Sequence, residues 1–122
     1  MPKTILVIDD DKVLIKMLET GLGAKGYNVL TAETGERGLK VAQNVPVDLI
    51  LLDVILPGVK GREVCKKLKQ EEKTKNVPVV FLTAKNSPDD VKAELAAGGI
   101  AHITKPIDLS SLISLVQTVF PS

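Results

Sequence analysis

The chain has 122 residues, 44% of them apolar and 25% charged, with a formal net charge of +1, the size and balance of one soluble domain able to bury its own core. That charge sets up no field toward nucleic acid or a membrane surface, and aromatics at 2% rule out a base-stacking platform. No apolar run approaches the roughly 20 residues that span a bilayer. Met1-Pro2-Lys3 leads straight into a strand pattern without a signal-peptide layout. The lone Cys65 fits a reducing cytoplasm, and its helical surroundings make it a small packed hydrophobe.

Strand and helix signals alternate five times. Residues 4–8 form a continuous apolar strand, followed by a helix with Leu14, Met17, Leu18 and Leu22 on one face and Gly23 and Gly26 at its end. A short second strand is predicted over 27–31. Thr34 can cap a second helix carrying Leu39, Val41 and Ala42, which Pro46 ends. The third strand is predicted over 48–52, then a loop at Pro57-Gly58 with Gly61. Val64, Cys65 and Leu68 pattern a third helix that runs into a charged surface stretch over 66–75. The fourth strand is predicted over 77–82. Ser87-Pro88 with Asp89 and Asp90 is a strong helix start, and Gly98-Gly99 stops that helix. The fifth strand is predicted over 100–104. Asp108 can cap a last helix built on Leu112, Ile113, Leu115, Val116 and Val119.

Five strand–helix units with short connections imply an α/β fold, a doubly wound five-stranded parallel sheet with helices on both faces. No repeat, low-complexity tract or linker interrupts it, so residues 1–122 are expected to be one domain. Ligands bind such sheets at the carboxyl ends of the strands. Four of the strand ends carry chemistry: Asp9-Asp10-Asp11, Asp53, Thr83, and Lys105-Pro106. Hard oxygen donors suit Mg²⁺, which needs only one or two carboxylates with a carbonyl and waters. One aspartate of the triplet can simply cap the helix, but three in a row exceed what a cap needs. Their repulsion calls for a cation. Asp53 can act as a nucleophile that forms an aspartyl-phosphate. A Thr83 hydroxyl can donate to a phosphoryl oxygen, and Lys105 can act on it as a point charge.

In order and spacing, Ile5-Leu6-Val7-Ile8-Asp9-Asp10-Asp11, Leu51-Leu52-Asp53-Val54-Ile55-Leu56-Pro57-Gly58 with Gly61, Phe81-Leu82-Thr83-Ala84 and Thr104-Lys105-Pro106 resemble the receiver domain of bacterial two-component response regulators, over essentially the whole chain. The resemblance implies a chemotaxis-regulator-like, flavodoxin-like sheet of strand order 2-1-3-4-5. It implies that Asp53 takes a phosphoryl group from a histidine kinase or phosphotransfer protein. Mg²⁺ would be held by Asp10, Asp53 and the carbonyl of Ile55, with Asp9 acting largely through water. Thr83, Ala84, Lys105 and Pro106 would contact the phosphoryl group, with a cis bond before Pro106. An aromatic in the fifth strand would relay the switch to the face of the fourth helix, fifth strand and fifth helix. There a downstream protein or a second copy would dock. The chain would be a cytoplasmic signalling domain rather than an enzyme on other substrates, with no direct contact to nucleic acid or membrane. Ile55 and Lys85 occupy the two positions that set the lifetime of the phosphate.

Three features depart from the family pattern. His102 stands at the aromatic switch position, where weaker or pH-sensitive coupling and a merely half-exposed histidine are the two readings. Gly98-Gly99-Ile100-Ala101 replaces a commoner Gly-Ala-x-Asp, and Ile107 replaces Phe. Two other classes share some of the signal. A haloacid-dehalogenase-like phosphohydrolase would also start from Asp9-Asp10-Asp11-Lys12-Val13, but it needs a late acidic pair, and only Asp108 follows Lys105. A receiver fold used only for docking would not bind Mg²⁺.

Overall fold

Leucine, isoleucine and valine fill the central strands so densely that both faces must be covered. The structure, a computed structural model describing residues 2–84 and 86–121, meets that demand with five parallel strands: β1 (Thr4–Ile8), β2 (Asn28–Ala32), β3 (Leu49–Asp53), β4 (Val79–Thr83) and β5 (Ala101–Thr104). Their order is β2-β1-β3-β4-β5, as expected. Interleaved with them are α1 (Lys12–Ala24), α2 (Gly35–Asn44), α3 (Gly61–Gln70), α4 (Pro88–Ala96) and α5 (Leu109–Val119).

The period of two in a strand splits the core into two layers. Leu6, Ile8, Ile50, Leu52, Val79 and Phe81 point toward α2 and α3, where they meet Leu39, Val64, Cys65 and Leu68. Ile5, Val7, Leu49, Leu51, Val80 and Leu82 point the other way, toward Leu14, Leu18 and Leu22 of α1 and Leu112 and Val116 of α5. Cys65 is fully buried, and burial raises its thiol pKa to about 11, so it packs as a hydrophobe.

Several boundaries shift, each for a local reason. Strands β3 and β4 each end one residue later than predicted, because backbone pairing continues through Asp53 and Leu82 and through Thr83 and Thr104. The two site residues therefore belong to the strands themselves. The edge strands β2 and β5 each start one residue later than predicted. Helix α1 runs through Gly23, and the reversal comes at Gly26, whose φ of 93° suits a residue without Cβ. Gly61 is the first residue of α3 and not part of the loop. The charged stretch predicted over 66–75 is not one solvated helix face: α3 ends at Gln70. Beyond it Thr74 is buried, donating its hydroxyl to the Leu68 carbonyl at 2.6 Å.

That hydroxyl tethers the end of α3 to the turn leading into β4. The Leu68 carbonyl also takes a long 3.4 Å bond from the Glu71 amide. Thr74→Val keeps the shape and removes the donor, so unfolding in urea should show a loss of about 1–3 kcal/mol. An unchanged midpoint would mean the tether carries no stability.

Candidate functional site

The carboxyl ends of β1, β3, β4 and β5 open on one edge of the sheet, and the acidic triplet divides its work there. Asp11 is the N-cap of α1, its Oδ1 accepting the amides of Val13 and Leu14 at 3.0 and 3.1 Å. The capping reading is thus right for Asp11 alone. Asp9 is fully buried; its amide donates to the Ala32 carbonyl and its Oδ1 accepts the Asp11 amide at 2.9 Å. Asp10, between them, is exposed.

Asp53 closes β3 with its carboxylate buried, Oδ1 accepting the Ile55 amide at 3.2 Å. The chain after it folds back tightly. The Gly61 amide donates to the Val54 carbonyl at 2.9 Å, and a Cβ on Gly61 would collide with the Asp53 carbonyl oxygen. Only glycine lets α3 begin this close to the site. Lys105 follows β5; its amide is held by the Thr83 carbonyl at 2.8 Å. Its ammonium lies 2.9 Å from Asp9 Oδ2 and 3.3 Å from Asp53 Oδ2. The Lys105–Pro106 bond is cis, as the resemblance implies. Thr83 is buried at the end of β4.

Asp9, Asp10 and Asp53 can each place a carboxylate oxygen within 4.8 Å of the others. Two unit charges ~5 Å apart repel by about 3 kcal/mol at an effective dielectric near 20, several times the worth of an exposed ion pair. The shifts follow. Burial pushes the Asp53 carboxyl above its ordinary range and the neighbouring Asp9 adds to it, while Lys105 and the Ile55 amide pull back. For Lys105, burial alone would depress the ammonium, but Asp9 and Asp53 overcome it and hold its pKa above the usual value. One ammonium facing three carboxylates leaves the pocket negative. All-oxygen donors in that field fit a hard divalent cation.

Among the residues expected here, Asp9, Asp10, Asp53 and Lys105 converge, and Thr83 and Ala84 lie at the neighbouring strand end. Ile55 is at the rim and 56% exposed. Lys85 lies outside the described residues. His102 sits on β5 in register with Phe81, two residues before the Thr83–Thr104 pair. Asp108 is spent as the N-cap of α5, accepting the Ser111 amide and hydroxyl, so the late acid of a dehalogenase-like site is absent from the cluster. Sequence reasoning missed Glu94, which faces inward from α4 and is buried with His102 Nδ1 3.9 Å from its Oε1. The apolar pattern gives no warning, because the adjacent Leu95 points to solvent instead.

A family model described as a response regulator receiver domain matches residues 5–117. The alkaline phosphatase synthesis transcriptional regulatory protein PhoP of Bacillus subtilis is 39% identical over 98% of this chain and 49% of its own length. The chain spans half or less of the curated relatives it matches. Among solved structures, chemotaxis protein CheY4 of Vibrio cholerae superposes with a TM-score of 0.93 at 29% identity, covering 98% of this chain and 99% of that one. The receiver domain of a Pseudomonas aeruginosa sensor histidine kinase superposes at 0.90 with 27% identity over all of both chains; it holds a magnesium ion in its active-site cleft. No described helix is long and apolar enough to cross a membrane.

Because Asp53 is buried and also crowded by Asp9, its charge opposes folding when no cation is present. A carboxyl whose folded pKa is raised contributes stability below its unfolded value, and that contribution is lost as pH rises through the folded pKa. Asp53→Asn should therefore raise the metal-free melting temperature at pH 7.5 by a few degrees, the size that ~1 kcal/mol produces in a domain of this length. The gain should shrink toward pH 4. A lower melting temperature for the variant at pH 7.5 would show that the Lys105 pairing outweighs the crowding.

Proposed function

Since the chain belongs to the response regulator receiver domain family, we propose that Asp53 accepts a phosphoryl group from the phosphohistidine of a sensor histidine kinase or phosphotransfer protein in the cytoplasm. The observation that carries this is the buried Asp53 carboxylate at the end of β3, with the Lys105 ammonium 3.3 Å away. In the transfer, an Asp53 oxygen forms the new O–P bond while the P–N bond breaks, its electron pair leaving on the imidazole nitrogen. Asp9, Asp10, Asp53 and the Ile55 carbonyl would hold Mg²⁺, which when bound neutralises charge on the phosphoryl oxygens. The ammonium of Lys105, already placed between two carboxylates, acts as a point charge on a phosphoryl oxygen. Thr83 donates its hydroxyl to another, and the Ala84 amide lies beside it in the chain. The Ile55 amide holds Asp53 Oδ1, fixing the direction the carboxylate presents.

Phosphorylation then acts on the face of α4, β5 and α5, where a downstream protein or a second copy docks. Leu95 on α4 and Ile100 ahead of β5 are exposed there. Thr83, Phe81 and His102 share one side of the sheet by strand parity and register, which supports a relay from Thr83 along that side toward the docking face.

With Mg²⁺ and acetyl phosphate, the chain should gain one acid-stable, hydroxylamine-labile phosphoryl group by mass spectrometry. Asp53→Asn should gain none. Equal labelling of the variant would place the phosphate elsewhere.

The exposed, apolar Ile55 side chain cannot orient an attacking water, so the aspartyl-phosphate should be long-lived. Ile55→Asn should shorten its half-life severalfold after acetyl phosphate is removed. Decay at the parental rate would mean that water access is controlled at another position.

A further inference from the structure

One buried acid lies outside the phosphoacceptor cluster. Both carboxyl oxygens of Glu94 are shut off from solvent, and neither has a hydrogen-bond partner among the described residues. An isolated carboxylate in that position is costly, so the group requires a proton or a counter-charge. Its surroundings offer one close candidate. Imidazole Nδ1 of His102, across the seam on β5, is 3.9 Å from Glu94 Oε1, and the His102 side chain is 26% exposed against 3% for Glu94. From α3, Arg62 faces the same seam but directs its guanidinium to Asp90 at 3.9 Å. Lys69, also on α3, is committed to the carbonyls of Lys75 and Val77. From α4 itself, Asp90 acts on Glu94 as a like charge, and it also serves the N-cap box with Ser87.

We propose that Glu94 and His102 share a single proton and that this proton latches α4 onto β5. With one proton in the pair, a modest closure of the 3.9 Å gap gives a charge-assisted hydrogen bond. When that proton is lost, a bare carboxylate faces a neutral ring at a buried seam, and α4 loosens to let water in. Burial raises the Glu94 carboxyl pKa; His102 and Arg62 oppose this and Asp90 adds to it. The sign follows from the pair: the bond needs one proton, so its contribution is lost as rising pH removes that proton. The latch thus opens toward alkaline pH. Its position matters because β5 continues directly into Lys105, and α4 forms part of the proposed docking face. That consequence rests on the phosphoacceptor reading; the latch itself does not, and it is tested on the unphosphorylated chain.

The test combines two NMR measurements on the whole chain. The first is the titration of the Glu94 carboxyl carbon in protein labelled with ¹³C-glutamate. Its midpoint should lie above the ordinary carboxyl range and should rise further in His102→Phe, because the ring's pull toward the ionised form is gone. The second is amide hydrogen exchange of α4, corrected for intrinsic chemistry, with α1 amides as reference. Protection of α4 in the parent should fall roughly tenfold as the pair loses its last proton, whereas Glu94→Gln, which offers the ring no charge to pair with, should stay flat. Chain-wide loss of protection in Glu94→Gln would mark misfolding; His102→Phe then decides through the carboxyl midpoint. An unmoved midpoint in His102→Phe, or parental α4 protection that does not change as the pair loses its last proton, overturns the latch.

Discussion

One ammonium held between two buried carboxylates organises the working edge of this protein. Lys105 Nζ reaches Asp9 Oδ2 and Asp53 Oδ2 at 2.9 and 3.3 Å, and those carboxylates come from different strands. Three chain segments far apart in sequence are therefore tied at one point. The sheet makes this possible: β1 and β3 are neighbours, so their ends place Asp9 and Asp53 side by side. The β4–β5 pairing carries Lys105 in, with its amide fixed on the Thr83 carbonyl.

The tie is incomplete by design of the charges. Asp10 adds a third carboxylate to the cluster, set against the one ammonium of Lys105 that bridges Asp9 and Asp53. Functional sites commonly hold such costs, offset by the rest of the fold. Here the offset is the two-layer core, in which the three central strands are almost wholly buried. The same economy does not extend to Glu94. It sits away from the cluster, buried against α4's own seam with β5, and its nearest counter-group among the described residues is the partly exposed imidazole of His102.

The sheet, its order and the convergence of Asp9, Asp10, Asp53 and Lys105 were legible because they rest on strong local signals. Long apolar runs reveal buried parallel strands, and a charge at the end of such a run stands out. Boundaries slipped by a residue where pairing with a neighbour, a non-local effect, extended a strand over Asp53 or Thr83. Thr74 was invisible as a buried tether, since a threonine amid lysines and glutamates reads as surface. The roles within Asp9-Asp10-Asp11 could not be divided from sequence. Which aspartate caps α1 depends on where the backbone turns, and three identical residues carry no mark of it. Glu94 was missed for the opposite reason: its helix turns a glutamate inward and Leu95 outward, so polarity points the wrong way.

The charge balance at the strand ends can be measured directly by following melting temperature against Mg²⁺. A cation that binds only the folded form should raise it by mass action, about 2.7 kcal/mol of stability at a hundred times the dissociation constant. The crowding predicts that rise for the parent and its loss in Asp10→Ala. Asp10 is exposed, so its removal leaves the core intact, and the metal-free variant should be at least as stable as the parent. A Mg²⁺-dependent rise that survives Asp10→Ala undiminished would contradict a cation held by this cluster.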